Sequence, residues 1–527
     1  MAYYKIGYFL LLLPVTLLIY QLVPKKLRWL VLLGSSMVFL QYFSGKYIIY
    51  ISVTGLIAYV AALVLEHQKI KAKEKLKELA KEEKKLFKKK ENKKEKLVCA
   101  VGVLLMLGIL LYLKYYNFFA ENINNLMADG RKLLSFKQLI LPLGISFYTL
   151  QAVGYVVDVY WGKVDAQKNP LKLLLFLIFF PTIMEGPIAA YTDIHDKLYS
   201  GDSLDIDNLA QGYIRIFWGV FKKLVIADRL YVIVTELFDN YSSYYGAYIA
   251  AASIVYTIQL YMEFSGCIDI VIGSAKMFNI TLPENFRQPF LAKDASEFWR
   301  RWHISLGVWF KTYIFYPVAM SKPVKKWTKY GPDHVGKYMT RLVEMAIALL
   351  PVWLANGLWH GAAWSFICYG IYYLVVILTE QALEPLRTKA IGRLKVTEDN
   401  KCYSWLRRAK TWIIIFTGEL FFRAETLKSG IRMFKSMFKG FSIPALFDGT
   451  FLKMGLDIYD WCVVGICMII VIVVGALRER HEKLGVWLAE RKLSIRWYVY
   501  ISLIVLVIML GVYGPGHEEV DLIYAGF

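Results

Sequence analysis

The chain has 527 residues, of which 57% are hydrophobic and 16% aromatic, and its formal net charge is +21 at pH 7. A soluble chain of this length divides into domains with charged surfaces between their cores, but here apolar runs long enough to cross a bilayer recur throughout, as at residues 6–20, 97–116, 461–477 and 497–512. The composition therefore excludes an ordinary soluble protein and predicts an all-α, polytopic membrane protein.

The positive charge lies in clusters between the apolar runs. Residues 66–96 alone hold 14 Lys and 7 Glu, a net charge of +7. Basic loops of membrane proteins stay in the cytoplasm, and no zinc-finger, RNP or basic-zipper pattern accompanies these clusters. The charge therefore indicates membrane topology, and we expect no nucleic acid as a partner.

The first apolar run, residues 6–23, is predicted to be a retained membrane helix. Its basic cluster at residues 25–28 follows the run, which is the reverse of a cleavable signal peptide. Two further runs, about 27–43 and 46–65, return the chain to the same side as residues 66–96. That Lys/Glu-rich segment favours a solvated or membrane-surface helix, with an anionic-lipid or partner site as the sharper alternative.

The middle of the chain is predicted to cross outward over residues 97–116 and to return over 139–160. Residues 171–190 are apolar but contain Pro181, Gly186 and Pro187. Breaks at membrane depth survive only where protein or a cavity satisfies the freed backbone groups, so this segment is predicted to be re-entrant or to form a cavity wall. Counting such short segments, we expect roughly eleven to fourteen membrane helices.

The end of the chain obeys the same charge rule. Residues 478–496 are rich in Arg and Lys, whereas the tail contains Glu518, Glu519 and Asp521 without a Lys or Arg. The first segment is therefore predicted to be cytoplasmic and both chain termini extracytoplasmic.

Sequence motifs for the common soluble chemistries are missing. The sequence has no Walker loop, no G-x-S-x-G elbow and no H-E-x-x-H pair. Its six cysteines form no C-x-x-C pair, so buried free thiols are a better interpretation than disulfides or a metal site. We predict no metal.

Two of the seven histidines lie where an ionisable group is costly. His360 lies in N-G-L-W-H-G-A-A-W, residues 356–364, between Gly357 and Gly361. One interpretation is a small-residue helix contact beside a packed histidine. The other is an imidazole that takes a proton from an attacking hydroxyl. The spacing alone gives them equal weight.

The second histidine, His303, lies in D-A-S-E-F-W-R-R-W-H-I-S-L, residues 294–306. Capping-box spacing predicts a helix start at Asp294, with Glu297 and Arg301 one turn apart and Trp299 on the same face as His303. Taken alone, the pattern favours an interfacial helix. The neighbouring cations form a basic surface suited to the phosphates of a nucleotide-type donor; they are Arg287, Lys293, Arg300 and Arg301.

At these histidine segments the sequence resembles the membrane-bound O-acyltransferase (MBOAT) family, and more closely its bacterial alginate O-acetyltransferase branch. The shared motifs run in order through most of the chain. They are P-L-G-I-S-F-Y-T-L-Q (142–151), D-V-Y-W-G-K (158–163), F-F-P-T-I-M-E-G-P-I (179–188), F-S-G-C-I-D-I (264–270), N-F-R-Q-P-F-L (285–291), the two histidine segments, L-F-F-R-A-E-T (420–426) and L-I-Y-A-G-F (522–527).

The resemblance implies many helices around a membrane tunnel, with His360 at the position assigned to catalysis and His303 as a second important polar residue. It implies transfer of acetyl from a cytoplasmic thioester towards an extracytoplasmic polysaccharide, with the help of a secreted or anchored acetylation protein. We therefore predict an O-acetyltransferase of the bacterial plasma membrane. Acetyl-CoA is the predicted donor, without a bound cofactor, and Asn356, Trp299 and Trp359 are candidate tunnel-lining residues.

With this family in view, the chain is divided into four parts: N-terminal membrane helices (1–65), the charged segment (66–96), an MBOAT-like catalytic core (97–440) and C-terminal membrane helices (441–527). Two other functions stay open, a D-alanyl transferase of the teichoic-acid type and a proton-coupled transporter. Inverted repeats would favour the transporter, and none is found. His360 as a transient acyl carrier, instead of a general base, also stays open.

The charge pattern makes a topology prediction. In a cysteine-free background, single cysteines placed within residues 66–96 should resist a membrane-impermeant maleimide in intact cells and react after permeabilisation, because basic segments stay cytoplasmic. Cysteines beside Met1 or Phe527 should react in intact cells. Labelling of residues 66–96 from outside would overturn this orientation.

Overall fold

The computed structural model describes residues 3, 5, 7–127, 132–481, 484–513 and 520. Within these ranges the regular structure is helical, and the only strand-like pairing is one antiparallel bridge between Phe286 and Trp302. The all-α prediction is confirmed. The chain separates into two compact units, residues 1–213 with 271–283 and residues 214–270 with 284–527.

The first unit contains the N-terminal helices. They are α1 (Leu13–Leu22), α2 (Arg28–Ser44), α3 (Ile48–Glu78), α4 (Lys81–Asn125), α5 (Ile145–Trp161), α6 (Pro170–Ile178) and α7 (Tyr191–Ser200). Helix α8 (Ile206–Val220) begins in this unit and ends in the second, which contains α9 (Asp228–Asp239). Helix α10 (Ala247–Met277) begins in the second unit and ends in the first.

The second unit holds the remaining helices. They are α11 (Ala295–Arg301), α12 (Ile304–Phe310), α13 (Tyr316–Ala319), α14 (Lys322–His360), α15 (Trp364–Leu394), α16 (Lys401–Arg423), α17 (Leu427–Ser436), α18 (Ile458–Arg480), α19 (Leu484–Ala489) and α20 (Leu493–Leu510).

By length and composition, seven helical segments in the described ranges are able to cross a membrane. One of them, residues 25–78, contains both α2 and α3, and the others are α4, α10, α14, α15, α18 and α20. The predicted eleven to fourteen also counted short and re-entrant segments, which this criterion leaves out. The sequence motif at residues 522–527 and the acidic tail lie outside the described residues.

The predicted break in residues 171–190 is present. Helix α6 ends at Ile178, and the chain then continues through turns without a helix as far as Ala190. Side-chain hydroxyls serve the freed backbone groups. The Ser36 hydroxyl accepts from the Phe180 N–H at 3.0 Å. The Tyr3 hydroxyl donates to the Phe180 carbonyl and accepts from the Met184 N–H at 3.0 Å. Buried backbone outside a helix is stable because it has these partners.

In the second unit, a buried ion cluster connects α8 and the segment that follows it with helix α10. The Lys222 ammonium lies 2.7 Å from a carboxylate oxygen of Asp269 and donates to the Ser265 hydroxyl at 2.8 Å. The Arg215 guanidinium contacts the same carboxylate at 2.9 Å. Lys222 and Asp269 are each only 3% exposed, so the Lys222 ammonium depends on the Asp269 carboxylate for compensation, while Asp269 also has Arg215.

Two glycines make this close crossing feasible. A Cβ added to Gly219 would lie 2.9 Å from the backbone nitrogen of Ile270, and one added to Gly266 would lie 2.8 Å from the Gly219 carbonyl oxygen. Both are closer than real Cβ atoms approach. Small residues are a common means of bringing membrane helices into backbone contact, and here they place Lys222 within reach of Asp269.

The buried cluster predicts coupled stability effects. Asp269→Leu should destabilise the protein by about 3–5 kcal/mol, because it leaves the Lys222 ammonium buried without its carboxylate. The double variant Lys222→Met/Asp269→Leu should recover part of that loss. Thermal unfolding midpoints of the purified proteins in detergent provide the measurement. A double variant no more stable than Asp269→Leu would show that the Lys222 charge is solvated.

Candidate active site

The His303 segment begins with the predicted helix. The Asp294 side chain accepts a hydrogen bond from the Glu297 N–H at 2.8 Å, and α11 starts at the next residue, Ala295. Glu297 in turn accepts from the Arg301 Nε at 3.0 Å. The helix start and the Glu297–Arg301 pair are therefore confirmed.

The prediction that Trp299 and His303 share a helical face is wrong. Helix α11 ends at Arg301, and His303 has φ 48° and ψ 50°, in the left-handed region. The cause is pairing with the preceding segment. The Arg287 N–H donates to the Arg301 carbonyl at 2.9 Å, and the Ile304 N–H donates to the Asn285 carbonyl at 3.0 Å. This pairing takes the chain out of helical geometry just before His303.

The side chain of Asn285 determines which nitrogen of the His303 ring carries a hydrogen. Its Oδ1 atom accepts from the Ser305 N–H at 3.0 Å and from the Ser305 hydroxyl at 2.9 Å, and lies 3.2 Å from His303 Nδ1. A carbonyl oxygen only accepts, so Nδ1 must carry a hydrogen. In the neutral ring the lone pair then lies on Nε2.

His303 is enclosed by its surroundings. The side chain is 3% exposed. The Phe264 ring, from α10, meets the imidazole at a centroid distance of 4.9 Å in an edge arrangement. A non-glycine residue in the left-handed region has a backbone cost of about 1–3 kcal/mol. Such strain persists where the surrounding structure fixes it, which is typical of functional positions.

His360 is the last residue of α14 and is also 3% exposed. Aromatic rings surround it: Phe422 at 4.9 Å, Tyr369 at 5.9 Å and Phe366 at 6.4 Å between centroids. The carboxyl end of a helix carries partial negative charge and favours a cation. An imidazolium formed at His360 would therefore be stabilised by its position on the helix.

Helix packing explains Gly357, three residues before His360 on α14. A Cβ on Gly357 would lie 3.1 Å from the carbonyl carbon of Phe366, and one on Gly370 would lie 3.1 Å from that of Trp353. These contacts bring α14 and α15 together at backbone distance. The small-residue helix contact, one of the two interpretations of the sequence, is thus present at Gly357, and Gly357 is no evidence that a ligand approaches the histidine.

An aromatic path connects the two histidine segments. The Trp299 ring, on α11, lies 6.3 Å from the Tyr369 ring, which is 5.9 Å from His360. Asn356 lies one helical turn before His360, and its Nδ2 is a buried polar atom without a hydrogen-bond partner among the described residues. Trp359 is also buried, at 6% exposure. The structure therefore places Trp299 against Tyr369 and shows that Asn356 and Trp359 are buried near the end of α14.

Glu419 is a buried carboxyl that belongs to none of the predicted site residues. It is 1% exposed and accepts a hydrogen bond from the Tyr369 hydroxyl at 3.0 Å. Through this bond Glu419 fixes the ring that lies beside His360. The signal that could have found it is an acidic residue inside the apolar run 411–422.

The predicted basic surface divides into two parts. Arg301 is engaged with carboxylates, with Glu297 at 3.0 Å and Glu479 at 2.9 Å. Arg287 and Arg300 are exposed, and Lys293 is half-buried. Arg301 therefore holds the segment in place, whereas Arg287 and Arg300 lie at the protein surface.

Comparison with known proteins points to one family. Residues 166–330 match the model of MBOAT, the membrane-bound O-acyltransferase family. A protein of Pseudomonas syringae pv. tomato named "Probable alginate O-acetylase" is 32% identical over 342 residues, which cover 64% of this chain and 60% of that protein.

Relatives with other acceptors are also similar. The peptidoglycan O-acetyltransferase of Helicobacter pylori is 31% identical, over 65% of this chain and 65% of its own. The teichoic acid D-alanyltransferase of Bacillus subtilis is 30% identical, over 51% of this chain and 62% of its own. The chain thus spans less than two thirds of the length of each of these relatives.

Proposed function

We propose that the chain, whose residues 166–330 match the model of the membrane-bound O-acyltransferase family, transfers an acetyl group from a thioester to a hydroxyl group. The observation that carries the proposal is the pair of histidines, each 3% exposed and in one helical unit, with Trp299 of the His303 segment in ring contact with Tyr369, which lies beside His360. A buried imidazole that faces aromatic rings provides a dry, titratable group for proton transfer.

In the proposed mechanism His360 is the general base. Its neutral ring takes the proton of the acceptor hydroxyl as the oxygen attacks the thioester carbonyl, and the new C–O bond forms. The C–S bond then breaks, and the proton passes from the imidazolium to the departing sulfur. The helix end at His360 stabilises the cation between these two steps by roughly 0.3–1 kcal/mol.

His303 is proposed to orient the reacting groups. Asn285 fixes its tautomer, so that Nε2 is the atom with the lone pair. This nitrogen is then an acceptor for the hydroxyl of the acceptor substrate or for a relayed proton. The left-handed backbone at His303 holds the ring in this orientation, which a continued helix would not do.

The acceptor is proposed to be a polysaccharide outside the cell, reached with the help of an extracytoplasmic acetylation protein. The names of the relatives support a polysaccharide acceptor, since two of them are named as O-acetylating enzymes for alginate and peptidoglycan. Acetyl-CoA is the proposed donor. D-alanyl transfer is the second candidate, favoured by the match to the teichoic acid enzyme, which covers less of this chain, 51% against 64%. The family match argues against a transporter.

The general-base role predicts that His360→Ala lowers acetyl transfer by about 10²–10⁴-fold, because a neutral alcohol needs a positioned base. His303→Ala should also lower transfer, by a smaller factor. The measurement is activity per folded protein in detergent or lipid nanodiscs, with His334→Ala, which removes an exposed histidine, as the matched control. Near-normal specific activity of His360→Ala would return this residue to a packing role.

The donor surface predicts a change in KM. Arg287→Glu/Arg300→Glu should raise the KM for acetyl-CoA by about tenfold with a smaller effect on kcat, because guanidinium–phosphate bonds are charge-assisted. Arg301 is left intact because it pairs with Glu297 and Glu479. Arg393→Glu/Arg432→Glu, which reverses two exposed arginines elsewhere, is the control. An unchanged KM would place the donor at another surface.

A further inference from the structure

The charged part of α4 carries a stripe of lysines on one face. Its members are spaced at three or four residues, so they fall on the same side of the helix. They are Lys85, Lys88, Lys89, Lys93 and Lys96. All five are exposed, and among the described residues none lies within ion-pair distance of a carboxylate. Together with Asn92 and Tyr160 they line an open groove of about 450 Å³. We call this surface the lysine stripe.

The stripe extends well beyond the bilayer. Helix α4 has 45 residues, which at ~1.5 Å per residue is about 67 Å, against about 30 Å for the hydrocarbon core. The apolar part of the helix begins at Leu97. Lys85 therefore lies about 18 Å from that boundary along the helix, while a headgroup layer is only about 5–8 Å thick. Lipid phosphates are within reach of Lys96 and Lys93 but not of Lys85.

The surface is held in shape by its neighbours. Helices α3 and α4 pack as a hairpin, and at its charged end the Lys75 ammonium lies 5.7 Å from the centroid of the Phe87 ring. Nearer the membrane, Lys69 of α3 donates to the Val159 and Tyr160 carbonyls at 2.6 and 2.8 Å. These bonds cap the end of α5 and keep Tyr160 beside the stripe. A preformed surface loses little conformational entropy on binding.

From this geometry we infer that the lysine stripe is a docking surface for an acidic soluble protein. Five uncompensated cations in one row match a row of carboxylates on a partner helix or loop. The shallow groove accommodates side chains of such a partner without enclosing a small molecule. The distance of Lys85 and Lys89 from the membrane favours a soluble protein over lipid headgroups. Binding of such a partner to residues 81–96 does not depend on the proposed acyl transfer.

The test uses the full chain in phosphatidylcholine nanodiscs, with a fluorescent, helical, Glu-rich peptide as the probe and anisotropy as the readout. Lys85→Gln/Lys89→Gln should weaken binding by about fivefold or more, since each exposed ion pair contributes modestly. The matched control is Lys90→Gln/Lys94→Gln. It removes the same charge with the same spacing of four residues, from the other side of α4.

Three further measurements distinguish specific docking from misfolding, unspecific attraction and lipid binding. Unchanged thermal midpoints of both variants show that folding is intact. Equal weakening by the two pairs would mean unspecific attraction and would overturn the proposal, as would absence of binding by the unmodified protein. In discs that also contain phosphatidylglycerol, binding should persist at physiological salt, where the screening length is about 8 Å. Loss of peptide binding in those discs would assign the stripe to lipid instead.

Discussion

The constraint on which this structure depends is that a backbone polar group inside a bilayer needs a partner from the protein. Helices satisfy it automatically, so each place where the chain leaves helical geometry must provide partners from elsewhere. After α6 the partners are hydroxyls, since Ser36 and Tyr3 bond the backbone of Phe180 and Met184. Before α12 the partner is another stretch of backbone at Asn285 and Arg287. The backbone pairing before α12 also orients His303.

The sequence predicted the features that depend on local or periodic patterns. Apolar runs gave the helical class, Asp294 gave the start of α11, and Pro181 with its neighbours gave the break after α6. The resemblance pointed to the membrane-bound O-acyltransferase family, and residues 166–330 match the model of that family. The end of α11 could not be predicted in this way. It depends on pairing between residues 285–287 and 301–304, a contact that leaves no periodic signal.

Glu419 and Asn285 show a second limit of the sequence. Asn285 is one of many polar residues in a loop, and its importance appears only when its Oδ1 is seen to accept from Ser305 and His303. Glu419 is different, because an acidic residue in an apolar run is a signal by itself. Its partner, Tyr369, lies 50 residues earlier in the chain. Glu419 could therefore be recognised as a candidate from the sequence, but its contact with Tyr369 is visible only in the folded structure.

The basic residues that give the chain its net charge of +21 are of two kinds in the structure. Cations of the first kind form ion pairs with carboxylates at 2.7–3.0 Å and so hold helices and segments together; they are Lys222, Arg215 and Arg301. Cations of this kind have little left to offer a ligand, because an anion would have to displace a partner that compensates them. The lysine stripe and Arg300 are exposed instead. Recognition of anionic donors or partners must therefore come from this second kind, and a count of charges cannot distinguish the two.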